Sequence, residues 1–123
     1  MRSRITHPEF ATNDLMRIYN ILGEELFDVF DENMEKQIQL LFKYPESIAA
    51  RLKYGELAEY GYRVVRFHSN VQEGKADMRL IYRYVAEKDE LQFFAVGFRW
   101  EKPDNVYYIA KKRSHKNFVF NES

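Results

Sequence analysis

Basic and phenolic side chains crowd the second half of this chain. Arg63, Arg66 and His68 come first, then Arg79 and Arg99, then Tyr107, and finally Lys111, Lys112 and Arg113. Guanidinium groups grip phosphate oxygens bidentately, so two arginines converging on one point make a seat for a phosphodiester. Whether they converge depends on the strands that carry them.

From Tyr60 onward three runs read as strands, "YGYRVVRFH", "MRLIYRYVA" and "LQFFAVGFR", rich in β-branched and aromatic residues. Polar segments between them, "SNVQEGKAD" and "EKDE", read as turns, which predicts an antiparallel meander. A hairpin about Lys88–Glu90 that sets Glu87 opposite Leu91 also sets Arg79 opposite Arg99. In that register Met78, Leu80, Tyr82 and Tyr84 share an apolar face with Phe94, Val96 and Phe98. The other face holds Arg79, Ile81, Arg83 and Val85 with Phe93, Ala95, Gly97 and Arg99, and small neighbours leave its floor open. Like charges set opposite one another destabilise a sheet, unless an anion bridges them. On the first strand Arg63 and Arg66 have opposite parity, and His68 shares the parity of Arg66.

The segments before Tyr60 are helical. In "TNDLMRIYNILG" Leu15, Ile18, Tyr19 and Leu22 fall on one side, with Thr12 or Asn13 as cap and Gly23 as stop. Phe27, Phe30, Met34, Ile38 and Leu41 continue the period until Pro45 ends it. Two such helices predict an N-terminal helical hairpin packed on the sheet. After Pro103, Asp104 or Asn105 can cap a short C-terminal helix, "VYYIAKKR", where Lys111, Lys112 and Arg113 extend the positive field. The tail "NFVFNES" is a candidate edge strand, and His7 and His115 read as surface residues. Residues 1–123 therefore read as a single α+β domain.

Composition narrows the classes. Absence of cysteine removes disulfides and thiolate–metal sites, and no metal or other cofactor is expected. No apolar run approaches the ~18 residues of a membrane span and "MRSRITHPEF" has no signal-peptide core, so a cytoplasmic protein without a membrane partner is expected. Net charge is zero, yet residues 1–60 hold seven Lys/Arg against eleven Asp/Glu while residues 61–123 hold twelve against eight. That polarity points toward a charged partner.

Read in order, "LKYGELAEYGYRVVRFHSN", "DMRLIYRY" and "LQFFAVGFRWEKPDNVYYIAKKR" resemble the RelE/ParE superfamily of bacterial toxins. The "GFRWEKP" segment is similar to the HigB-like branch. The resemblance implies a RelE-like α+β fold, a toxin of a type II toxin–antitoxin system, and metal-independent endoribonuclease cleavage of mRNA on the ribosome. It implies a cognate antitoxin as partner, and it maps catalytic positions onto Arg63, Arg79, Arg99 and Tyr107. Arg66, His68, Lys111, Lys112 and Arg113 would bind RNA phosphates. Attack of a ribose 2′-hydroxyl on its own 3′-phosphate builds negative charge, which fixed arginines stabilise. Guanidiniums do not deprotonate, so the base would be Tyr107, Tyr108 or His68. The rival expectations are a ParE-like topoisomerase poison and a non-catalytic binder of the same fold.

Overall fold

A computed structural model describes residues 2–46, 49–52, 55–70, 74–99 and 105–113. Strand β1 (Ser3–Thr6) leads into a π-helical turn (Phe10–Leu15), then α1 (Met16–Leu22) and α2 (Glu24–Lys43). Next come β2 (Ala50–Arg51), α3 (Gly55–Glu59), β3 (Arg63–Phe67), β4 (Met78–Val85), β5 (Glu90–Phe98) and α4 (Val106–Lys112). The α+β class stands. The sheet, however, is mixed and five-stranded, in the order β1–β5–β4–β3–β2, with β1 parallel to β5 and the other pairings antiparallel. The expected meander forms its centre. The two additions, "SRIT" and "AR", are too short and too exposed to carry an apolar alternation, so only backbone pairing reveals them.

Gly23 separates α1 from α2 at φ 82°, a left-handed conformation that costs glycine no Cβ clash. Glu24 and Glu25 in the first turn of α2 and Lys43 in its last complement the helix dipole. Its apolar period buries Phe30, Met34, Ile38 and Leu41 against Val65, Phe67, Met78, Leu80, Tyr82, Phe93, Val96 and Phe98 of the sheet. Fully burying a side chain such as Phe30 or Ile38 stabilises the fold by about 1.5–3 kcal/mol each. The predicted caps behave differently. The helical segment starts upstream of Thr12 and Asn13, whose side chains bond back to Pro8 and Glu9 inside a turn already formed. His7, expected at the surface, is buried, with its ring edge-on to Phe94 at 5.2 Å.

A bulge sets the register of the central hairpin. Ile81 pairs with Ala95 and Tyr82 pairs with Phe93, so Phe94 is the extra residue on β5. Phe93 therefore joins the helix-covered core, and Phe94 joins a second core with Tyr62, Val64, Ile81, Ala95, Val106 and Ala110. This reverses the predicted faces of the two phenylalanines. The turn after β4 closes on Asp89 at φ 49°, where Arg2 and Tyr84 bond its carboxylate and hold its pKa below the usual range.

Beyond Phe93 the β1 partner ends, and a buried ion pair takes its place. Asp14 Oδ2 accepts the amide of Val96 at 3.1 Å, and Arg113 Nη1 donates to the carbonyl of Phe94 at 2.8 Å. The two side chains join each other through bonds of 2.8 and 2.7 Å. Arg113, expected as a phosphate ligand, is thus buried and spent on structure.

Asp14→Ala strands a buried guanidinium, and urea denaturation should record a loss of about 3–5 kcal/mol. Tyr82, whose hydroxyl donates to the carbonyl of Pro45, is raised by burial from 10.0 to about 12. A folded pKa above the unfolded one stabilises fully below the unfolded value and fades as pH rises through the folded one. Alkaline titration at the phenolate absorbance should therefore show Tyr82 ionising late, together with unfolding, between pH 10 and about 12.

Candidate functional site

The positions of the arginines follow from the two registers. Arg79 faces Gly97 on β5 and not Arg99, because the hairpin pairs two residues closer than expected. On its other side Arg79 directly faces Arg66 of β3. Cβ atoms of such opposed residues lie ~4.5–5.5 Å apart. Arg99, two residues past Gly97, continues the same alternation, and its amide donates to the carbonyl of Asp77 at 3.0 Å. Three guanidinium-bearing residues thus share one end of the sheet's second face.

Their environments differ. Arg66 is exposed, and neither it nor Arg79 forms an ion pair with the described residues. Arg79 is only 6% exposed; its Nη1 donates to the carbonyls of Ala76 and Met78, both at 2.9 Å. Its Nε is buried without a hydrogen-bond partner among the described residues. An unsatisfied buried donor is costly, and an acceptor reaching it would recover that cost. Asp77, the nearest carboxylate in sequence, is engaged by the amide and hydroxyl of Ser69. His68 shares the face, with its Nε2 at 3.2 Å from the carbonyl of Gly74.

The floor of this face is not open, as the sequence had suggested. A Cβ added at Gly97 would meet Val106 Cβ at 3.3 Å, so glycine is what lets α4 lie on the strand. Asn105 caps that helix by accepting from the amide of Tyr108 at 2.9 Å. Val106 and Ala110 point into the sheet, and Tyr107, Tyr108, Lys111 and Lys112 point outward. Since Val106 rests on Gly97, the partner of Arg79, the turn bearing Tyr107 stands over the arginine end.

Arg63 does not join this group. It pairs with Tyr82 on the helix-covered face, where its Nη1 donates to the carbonyls of Glu46 and Ala49 and its Nη2 lies 3.7 Å from the Glu46 carboxylate. Its role is to pin the segment after α2. Lys112 stands 4.2 Å from the ring centroid of Tyr108 and lines a groove against α1. Sequence reasoning missed that groove. The stripe Asn13, Arg17 and Asn20, at i, i+4 and i+7 opposite Leu15, Ile18 and Leu22, was its readable signal. Asp104 and the tail from 114 onward lie outside the described residues.

Among the described residues no group of three His, Asp or Glu is placed to hold a metal ion. No described helix is long and apolar enough to cross a membrane. No family model, no curated protein and no solved structure matches the chain.

Opposed arginines repel, so removing one should relieve the sheet. Arg66→Ala is expected to raise the thermal midpoint slightly in dilute buffer, equivalent to about 0.2–1 kcal/mol. Added pyrophosphate should stabilise the wild type and leave the variant nearly unmoved. A variant destabilised in buffer would mean that Arg66 is satisfied and repels nothing.

Proposed function

We propose that this protein is a RelE-like toxin that cleaves mRNA without a metal, through attack of the ribose 2′-hydroxyl on the adjacent phosphodiester. The observation that carries this reading is the direct opposition of Arg66 and Arg79, with Arg99 two positions along from the partner of Arg79. Two guanidiniums opposed across a β-ladder, with no ion pair to a described residue, are a standing electrostatic cost that a bridging phosphate removes. Arg79, tied to two carbonyls, is the preorganised charge, and the exposed Arg66 captures the backbone. In this reading Tyr107, 39% exposed and next to Val106 on α4, is the phenol that moves the proton. An antitoxin partner would then be one that covers this end of the sheet and screens its charge. The cytoplasm, where mRNA is translated, is the compartment this reading requires.

One observation favours the rival reading of a binder that does not cleave. The seating of Val106 on Gly97 covers part of the floor where a scissile phosphate would approach. A topoisomerase-directed toxin is the form of that rival in which no RNA is touched.

Primer extension on transcripts from induced cells separates the readings. Cuts within translated codons are expected for the wild type, and Arg66→Ala or Arg79→Lys should reduce them by about 10²-fold or more. Intact transcripts alongside DNA-damage signalling would assign the protein to the topoisomerase class. Growth arrest with neither sign would assign it to the non-catalytic binders.

A further inference from the structure

Away from the arginine end a concavity opens between the N-terminal helical segment and the outer flank of α4. It is an open groove of about 710 Å³, within the volume range of ligand sites at roughly 300–1,000 Å³. Arg17 and Lys112 supply cations, Asn13 and Asn20 supply amides, Tyr108 supplies an aromatic face and Met16 an apolar one. Among the described residues no carboxylate lines it.

Two carboxylates lie close by, outside the lining. Asp14 lies 3.3 Å from Arg17, but it is fully buried and already matched by both terminal nitrogens of Arg113. Glu9, at the rim, accepts from Asn13 Nδ2 at 2.9 Å and lies 3.7 Å from Arg113 Nε. Three cations, Arg17, Lys112 and Arg113, therefore stand against two carboxylates, and the surplus faces the groove. Asn20 makes no hydrogen bond with the described residues, so both ends of its amide are available. Tyr108 is 43% exposed with the Lys112 ammonium beside it. Single-stranded nucleic acid asks for an aromatic surface for a base, cations for its phosphate, and polar groups for the base edge.

We infer that this groove seats one nucleotide of single-stranded RNA, its base stacked on Tyr108, its edge bonded by Asn20 and its phosphate held by Lys112 and Arg17. The inference rests on the RNA reading above and adds a subsite on another flank of the same helix. With seven residues α4 is about 10 Å long, so one strand can reach from the turn over the arginines to Lys112.

The test is fluorescence anisotropy with a labelled oligoadenylate whose 2′-hydroxyls are methylated, so that it binds without being cut. Tyr108→Ala should weaken binding by roughly fivefold or more, and Tyr108→Phe should retain it. Lys112→Ala should lower the slope of log affinity against log salt by about 0.7. Because these side chains are exposed, thermal midpoints should stay near that of the wild type. Binding that falls with Arg66→Ala but ignores Tyr108→Ala and Lys112→Ala would sink the groove and leave the arginine site standing. A wild type that binds no RNA would overturn both. Binding of polyglutamate in place of RNA, with the same dependence on Tyr108, would assign the groove to an acidic peptide and overturn the inference.

Discussion

The Asp14–Arg113 pair closes an edge that the sheet leaves unfinished. Where β1 stops, the amide of Val96 and the carbonyl of Phe94 face outward with no strand of the described residues to meet them. One residue of a parallel neighbour would bond that same donor and acceptor, since parallel ladders link each residue to two groups of the strand beside it. Here a carboxylate from the π turn and a guanidinium from the end of α4 do so together. Buried ion pairs often fail to repay their desolvation, but this one also satisfies two backbone groups that would otherwise be orphaned. It ties the N-terminal turn and the last helix to β5 at one point. The position of α4, the seat of Val106 on Gly97 and both outward flanks of that helix all follow from it.

The second face of the sheet shows how one strand serves two layers. The bulge at Phe94 turns adjacent phenylalanines to opposite sides, feeding the large core beneath α1 and α2 and the smaller one beneath α4. Past the bulge the alternation resumes, and Gly97 and Arg99 stay on the α4 side with Arg79 and Arg66. Apolar packing thus fills most of that face and stops at an end occupied by cations. Arg79 marks the boundary, with one terminal nitrogen satisfied by backbone and its Nε left without an acceptor among the described residues.

Much of this was readable in the chain. The long helical period from Phe27 to Leu41, the three central strands and a cap at Asp104 or Asn105, realised at Asn105, follow from patterns that depend on near neighbours. The register of the hairpin was not. A single bulge residue shifts every later pairing, and nothing local distinguishes "QFFAV" with a bulge from the same letters without one. Partners distant in sequence were equally hidden. Arg113 looked like one more cation in a basic run, because its bond to Asp14 spans 99 residues. For the site, the arginines were identified by type and parity, but the opposition of Arg66 to Arg79 needed the β3–β4 register. The groove beside α4 escaped because its two walls come from opposite ends of the described chain.

That separation has a consequence for the order in which the molecule matures. On a ribosome, the carboxylate at position 14 emerges early and must wait for nearly every other described residue before its counterion appears. Until then the outer rim of β5 lacks these closing bonds, and α4 is held to the sheet by the packing of Val106 and Ala110 alone. Completion of the native state is therefore a late event, coupled to the end of translation of this segment. A chain released short of that arginine would keep a raw sheet margin of the kind that invites unwanted strand pairing.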